Sequence, residues 1–192
     1  MDDWTYFGLG MAIFFGAHLF AAFRPRGAGD LRVRMGESVY RAAFSVVSIA
    51  GLALLIVGYG DVRGAPSLWF PPEWARHIPM ALMLPAMIFF VAAEAPMGRI
   101  KRAAKHPMLA GVKLWAFGHL AANGDLPSVI LFGAFLAYAV LDRIVVKRRA
   151  APSQPTPVTA KGDVIAVVGG IGLYLVIVLW AHTALIGVPV IY

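Results

Sequence analysis

Histidines are the residues of this sequence best suited to chemistry, because an imidazole can bind a metal ion, transfer protons or form hydrogen bonds between helices. The sequence has five, each in or beside a long apolar run: His18, His77, His106, His119 and His182. Ionisable groups inside a bilayer are costly and are functional candidates by default. His18 lies about 9 Å and His119 about 20 Å from the basic ends of their runs, so we expect both within the hydrocarbon.

Four residues around His119 recur at a spacing of four along one predicted helix. They are Gly111, Trp115, His119 and Asn123, and this spacing places them on one helix face. The face offers a point of close approach, an aromatic ring, an imidazole and an amide. A packing stripe with a hydrogen-bonded histidine explains the spacing as well as a binding site does, so the spacing leaves both interpretations open.

The other three histidines lie near the ends of apolar runs, where water reaches them. We interpret His77 and His182 as interfacial residues. His106 precedes Pro107 and is expected in the N-cap region of the helix that carries His119. A cluster of His77, His119 and His182 would suit a divalent metal, although no ligand spacing of the HExxH type supports it.

Charged residues beside the apolar runs form two further candidate sets, both interpreted as structural. Lys113 either pairs with Glu94 or extends alone to the headgroups. Glu37 and Arg41 form an i, i+4 pair at the start of a helix. Arg41 is also placed to neutralise a buried carboxylate.

The composition is typical of a membrane protein. Hydrophobic residues make up 60% and charged residues 14% of the 192 positions, and the mean hydropathy is +0.74. Soluble domains are about half apolar and a quarter charged, so this surface needs lipid to cover it. The sequence has no cysteine, which excludes disulfides, thiolate zinc sites, iron–sulfur clusters and a cysteine nucleophile.

Hydropathy predicts an all-α bundle of six transmembrane helices in one domain, residues 1–192. A spanning helix needs roughly 20 mainly apolar residues. Five runs meet this, and the run at 107–122 would span only about 24 Å. The predicted helices are 4–23, 41–60, 75–95, 107–122, 128–146 and 164–182.

The distribution of basic residues predicts the orientation. The net charge is +7, and most basic residues cluster in three short segments between apolar runs, as the positive-inside rule requires. This pattern argues against a nucleic-acid partner and places both termini outside the cytoplasm. Residues 147–162 then form a cytoplasmic linker, and the first run is an anchor because no basic segment precedes it and no cleavage site follows it.

Three stretches of the sequence resemble a known family. Residues 105–125, KHPMLAGVKLWAFGHLAANGD, are similar to the signature of the NnrU family. The stretch that runs from residues 16–18 through residues 35–41 resembles the same relatives, as does the segment 181–187 more weakly. The resemblance covers nearly the whole chain. NnrU proteins are bacterial inner-membrane proteins linked to nitrite and nitric oxide metabolism in denitrifiers, related to zeta-carotene isomerase, a membrane enzyme that uses haem b.

The resemblance implies a haem b site in the helix bundle. The two intramembrane histidines that ligate haem in the isomerase match His18 and His119, with His182 as an alternative ligand. The binding set then includes Trp115 and Asn123 on the face of His119, and Arg41 as a partner for a haem propionate. The isomerase has a cysteine immediately after the tryptophan, whereas this sequence has alanine there, so a thiolate ligand is excluded.

Three functions follow from these observations. The first is a multi-pass protein of the bacterial inner membrane that binds haem b and supports nitrite or nitric oxide metabolism, with reductase components as partners. The second is a haem-dependent isomerase of a lipophilic polyene. The third is a non-enzymatic assembly factor for a respiratory reductase. The sequence leaves open whether the protein is an enzyme.

Overall fold

The computed structural model describes residues 3–25, 27–149 and 156–191. Within this part of the chain the regular elements are helical, and one isolated β-bridge joins Ser67 to Asp125. The helices are α1 (Asp3–Phe23), α2 (Leu31–Met35), α3 (Glu37–Val62), α4 (His77–Glu94), α5 (Arg99–Ala104), α6 (Pro107–Ala122), α7 (Leu126–Arg149), α8 (Ala160–Val176) and α9 (His182–Ile186). A π turn, Ile177–Ala181, joins α8 to α9.

Among the described residues, five helical stretches are long and apolar enough to cross a membrane: Trp4–Phe23, Glu37–Val62, Glu73–Glu94, Leu126–Arg149 and Ala160–Ile186. The predicted all-α membrane fold is therefore confirmed, and the chain is of the multi-pass type. Helix α6 has the predicted bounds, Pro107 to Ala122, but its 16 residues make it shorter than those five. The count of six spans and the orientation stay predictions.

Helices α3 and α8 begin before the limits that hydropathy predicts, because their first turns are polar. Helix α3 begins at Glu37 rather than 41, directly after Gly36, whose φ of +83° ends α2. Helix α8 begins at Ala160 rather than 164, because the Thr159 side chain accepts a hydrogen bond from the amide of Gly162. The described helices thus occupy both ends of the predicted linker, and residues 150–155 lie outside the described residues.

The chain divides into two compact units, residues 1–65 and 66–192. We call them the N-terminal and the C-terminal unit. The sequence predicts that both units belong to a single domain, and this stays a prediction.

The N-terminal unit is a helical hairpin in which α1 packs along α3. Glycines set the close approach of the two helices. Gly58 faces the backbone of Phe7, and a Cβ added at Gly51 would lie 3.0 Å from the Cα of Phe14. Small residues at such crossings let helix backbones come close inside a membrane, where van der Waals packing drives association.

The C-terminal unit is built on α4, which packs against both α6 and α8, while α6 also packs against α7. Gly111 of α6 lies against the ring of Phe90, and Gly170 of α8 lies against the backbone of Ile88. Gly111 is therefore the close-approach point that its spacing predicts. These crossings fix the position of α6, the helix that carries His119.

The segment that precedes α4 packs over the turn between α6 and α7. The amide of Leu68 donates to the carbonyl of Gly124 (2.7 Å), and the amide of Leu126 donates to the carbonyl of Pro66 (3.2 Å). A Cβ at Gly124 would overlap the carbonyl oxygen of Trp69. Asp125 then begins α7 by accepting a hydrogen bond from the amide of Ser128 (2.9 Å). The turn that follows His119 is thus held by hydrogen bonds on both sides.

Candidate functional site

His119 lies in the last turn of α6, and its tautomer is fixed by the helix itself. Its Nδ1 is 2.9 Å from the carbonyl oxygen of Trp115. A carbonyl only accepts, so Nδ1 carries the proton and Nε2 carries the lone pair. Metal-binding histidines use this arrangement, because the second nitrogen orients the ring. Asn123 caps the helix by donating to the carbonyl of His119 (2.7 Å), so it supports His119 through the backbone.

Aromatic rings from α7 cover His119 and its neighbour Trp115. The ring of Phe132 stacks on the imidazole at 4.8 Å between centroids. Trp115 meets Phe132 and Phe135 edge to face, at 5.1 and 5.0 Å. Phe132 is 5% exposed. This packing holds the indole and the imidazole in place and keeps water from one face of the imidazole.

The structure brings His182 next to His119. Their ring centroids are 6.5 Å apart and the planes differ by 23°. Two imidazole nitrogens on opposite sides of one metal ion, each about 2 Å from it, place the ring centres roughly 6 Å apart. We call these two residues the α6–α9 histidine pair, and the separation of their ring centroids is compatible with a shared metal ion.

The chain around His182 is also irregular in a way that orients the ring. The π turn Ile177–Ala181 ends immediately before it, and such turns are frequent at functional sites. Gly187, with φ +75°, ends α9, and the chain folds back so that Nδ1 of His182 donates to the carbonyl of Val188 (2.6 Å). The Nε2 of His182 thus carries the lone pair, as in His119.

His77 does not join this pair. It is exposed at the start of α4, and the described part of the chain contains no group of three His, Cys, Asp or Glu side chains that could hold a metal ion. The described residues therefore do not form the cluster of His77, His119 and His182 that the sequence left open. Proximity at one end of the helices does not aim side chains at a common point.

His18 in the N-terminal unit has the same local geometry as His119. Its Nδ1 donates to the carbonyl of Phe14 (2.8 Å), which leaves the lone pair on Nε2. Its ring stacks on Phe14 at 4.1 Å and meets Phe44 of α3 edge to face at 5.1 Å. His18 and His119 belong to different units, and each is packed among aromatic rings of its own unit.

A buried ion pair lies beyond the end of α1. The guanidinium of Arg24 donates to the carboxylate of Asp30 (2.9 Å), with both side chains at most 8% exposed, and lies 5.3 Å from the ring centroid of Tyr40. Burial acts to raise the pKa of the Asp30 carboxyl. Hydrogen bonds from the Arg32 amide and the Arg24 side chain outweigh it, so the pKa lies below its ordinary value. Sequence reasoning missed this pair.

Arg41 and Glu37 form the predicted i, i+4 ion pair, at 2.8 Å, and Arg32 adds a second partner for Glu37 at 3.1 Å. The Arg41 side chain is 74% exposed. Exposed pairs of this kind contribute at most about 1 kcal/mol, because solvent and salt screen them. Arg41 therefore serves the start of α3, and its predicted contact with a propionate stays a prediction.

Lys113 and Glu94 form no ion pair in the described residues. Instead, Lys101 serves the end of α4 by donating to the carbonyls of Ala93 (2.7 Å) and Ala95 (2.8 Å). Unsatisfied carbonyls at a helix C-terminus attract a nearby cation, which explains the position of the Lys101 side chain. Lys113 is half-buried on α6 and Glu94 is exposed.

His106 occupies the predicted N-cap position of α6, directly before Pro107 at the first helical position. Its side chain makes no capping hydrogen bond. Burial lowers the pKa of the His106 imidazole, and the charge of Arg143 lowers it further. His106 is thus a structural residue at the basic end of the helix.

Sequence reasoning missed the aromatic neighbours of both histidines. Phe132 and Phe135 are separated by three residues, a spacing that marks a common helix face. The short connection between α6 and α7 makes these helices antiparallel neighbours. The spacing of Phe132 and Phe135 could therefore have predicted that both rings lie near His119. Phe44 gives no such signal, because its contact with His18 depends on the register of α1 against α3.

A family model described as NnrU protein matches residues 6–190, nearly the whole chain. The chain belongs to the NnrU family. The match includes both units and all five histidines of this NnrU protein. No curated protein and no solved structure gives a significant match.

Proposed function

We propose that this NnrU protein binds haem b in its C-terminal unit, with His119 and His182 as the ligands of the iron. The observation that carries the proposal is the α6–α9 histidine pair, with its centroid separation of 6.5 Å and nearly parallel rings. Both imidazoles donate through Nδ1 to a backbone carbonyl. Both Nε2 atoms therefore carry the lone pair that ligation needs.

The residues around the pair fit a haem site in their chemistry. His119 is the better-fixed ligand, because the carbonyl of Trp115 and the ring of Phe132 hold its imidazole. His182 is the more accessible one. A bound haem b would supply redox chemistry and an iron that binds nitric oxide, while the residues of the chain set the ligands, the ring orientations and the access of water.

The resemblance of the sequence implies His18 as a ligand, and its fixed tautomer suits that role. The N-terminal unit also holds two buried hydroxyl groups, Tyr40 Oη and Ser48 Oγ, that have no hydrogen-bond partner among the described residues. They lie at a spacing of four on either side of Phe44, which contacts His18. His18 is therefore the competing ligand that the experiment must separate from His182.

The decisive experiment is an optical spectrum of the full-length protein, purified in detergent after expression with haem supplied. Wild type is compared with His119→Ala, His182→Ala and His18→Ala, and with His77→Ala as the control that leaves the pair intact. We expect a Soret band that His119→Ala abolishes, His182→Ala shifts toward one-histidine coordination, and the control preserves. A wild-type protein without a Soret band would refute haem binding. A change with His18→Ala but not with His182→Ala would refute the ligand pair.

We further propose that the bound haem serves nitrite or nitric oxide metabolism, as family membership suggests. Nitric oxide added to the reduced protein should shift the Soret band, and a reductase subunit should co-purify with the protein. The isomerase alternative is weaker. The residue that follows Trp115 is Ala116, so that position supplies no thiolate.

We propose six spans in a bacterial inner membrane, with both termini outside the cytoplasm and α6 as the short fourth span. The basic segments then share one side, as the positive-inside rule requires. The absence of cysteine makes single-cysteine variants informative. Ser67→Cys should react with an impermeant thiol reagent in intact cells, and Lys161→Cys only after permeabilisation. Labelling of Lys161→Cys in intact cells would instead support five spans.

A further inference from the structure

A basic groove of about 870 Å³ lies where α5 meets the start of α8. Three cationic side chains line it, Arg99, Arg102 and Lys105, opposite the apolar side chains of Val158 and Val164. All three cations are exposed. The ion pairs formed by the described residues lie in the N-terminal unit and do not involve them. The lining of the groove therefore combines three cationic side chains with one carboxylate, that of Asp163.

The one carboxylate at the groove is used by the backbone. Asp163 accepts hydrogen bonds from the amides of Arg99 (3.0 Å) and Ile100 (2.9 Å), which fixes the start of α5. Gly98 and Gly162 allow the close contact, because a Cβ at Gly162 would lie 2.9 Å from the Gly98 nitrogen. Asp163 thus builds the groove and offsets only part of its charge.

A second, apolar groove of about 500 Å³ adjoins the first along α4. It is lined by Pro85, Ile88 and Phe89, and the two grooves share Ala103 of α5. Pro85 and Phe89 lie nine and five residues before the end of α4 at Glu94, so this groove extends about 8–14 Å into the apolar part of that helix. The charged groove and the apolar one thus meet at Ala103, and the apolar one runs along a helix of the membrane-spanning type.

We propose that the two grooves together bind one anionic phospholipid. The phosphate lies among Arg99, Arg102 and Lys105, and an acyl chain follows α4 past Ile88. A free phosphate would leave the apolar groove uncovered, and a zwitterionic lipid would leave the three cations without net compensation. Basic residues at the cytoplasmic end of spanning helices attract anionic headgroups in this way. The site is independent of haem.

The test is native mass spectrometry of the full-length protein released from detergent and titrated with phosphatidylglycerol, phosphatidylcholine or inorganic phosphate. Phosphatidylglycerol should bind about tenfold more tightly than phosphatidylcholine. The triple variant Arg99→Gln/Arg102→Gln/Lys105→Gln should lose at least about tenfold in affinity, since each basic residue near an anionic surface contributes a factor of about five. Ala103→Phe, which blocks the junction without changing charge, should also weaken binding.

The matched control is Lys147→Gln/Arg148→Gln/Arg149→Gln, which removes three positive charges from the end of α7 and should change the affinity less than about twofold. Equal losses in both triple variants would overturn the proposal, because they would show charge attraction without a site. Ala103→Phe with unchanged binding would overturn it too. Displacement of the lipid by inorganic phosphate or an acidic peptide at equal concentration would identify another ligand. Circular dichroism of each variant checks that it is folded.

Discussion

Two glycines of α3, only two residues apart, provide a sharp test of the helix packing that places His18. A Cβ added at Gly58 meets the backbone of Phe7, whereas a Cβ added at Gly60 meets nothing within 4 Å. Alanine at either position favours the helix by about 0.5–1 kcal/mol relative to glycine. Only Gly58→Ala adds a backbone clash, and overpacking of this kind costs about 1–3 kcal/mol.

The net effects should therefore have opposite signs. Gly60→Ala should stabilise the protein by about 0.5–1 kcal/mol, and Gly58→Ala should destabilise it by roughly 1–2 kcal/mol. For a chain of this length, the loss corresponds to a decrease in Tm of roughly 2–8 °C. The clash involves backbone on one side, so no side-chain rotation relieves it. Only a separation of α1 from α3 does, and that would also loosen the contact between His18 and Phe44.

The assay is thermal unfolding in one detergent, followed by far-UV circular dichroism, for wild type and both variants at equal concentration. Gly10→Ala and Gly8→Ala repeat the comparison from α1, because the added Cβ meets Leu55 only at Gly10. The reasoning would be refuted by Gly58→Ala unfolding at or above the temperature of Gly60→Ala.

Three further outcomes test other parts of the structure. The folded-state pKa of Asp30 lies below its ordinary 3.8, so the stabilisation by its carboxylate is complete above pH 3.8 and is lost as the pH falls through the lowered pKa. Asp30→Asn should remove this acid dependence from the unfolding curves. Identical pH profiles of wild type and Asp30→Asn would contradict the prediction. Asp163→Ala should increase hydrogen exchange of the α5 amides while the amides of α7 stay protected; unchanged exchange in α5 would count against the cap. A Cβ added at Gly111 meets the ring of Phe90 at 2.6 Å, whereas one added at Gly133 meets nothing within 4 Å. Gly111→Ala should therefore lower the unfolding temperature by roughly 2–4 °C, and Gly133→Ala should not. Equal unfolding temperatures of the two variants would contradict the packing of α6 on α4.

The long helices could be predicted because their signal is local. Hydropathy finds each apolar run, and Pro107 and Asn123 bound α6 as its first helical residue and its C-cap. Helices α2 and α5 gave no such signal, because they are short and polar. Helix α5 depends on the carboxylate of Asp163, which is more than 60 positions away along the chain. Local periodicity contains no information about such a partner.

The candidate site divides in the same way. The helix alone fixes the tautomers of His18 and His119, since each imidazole donates to the carbonyl four residues earlier. Spacing also places Gly111 and Trp115 on the face of His119. By contrast, a pairing of Lys113 with Glu94 would be a tertiary contact. The sequence shows only that both residues lie toward the same end of the bundle, which does not determine whether their side chains meet.

The sequence by itself determined that this protein is helical, apolar enough for a membrane and a member of the NnrU family, with histidines inside its apolar runs. Those properties depend on residue type and local spacing. Only the tertiary structure decided that His182 lies beside His119 and that Phe132 covers the imidazole. The crossing of α6 with α7, the π turn and the reversal at Gly187 combine to create that neighbourhood, and none of them follows from the repeat of a single helix.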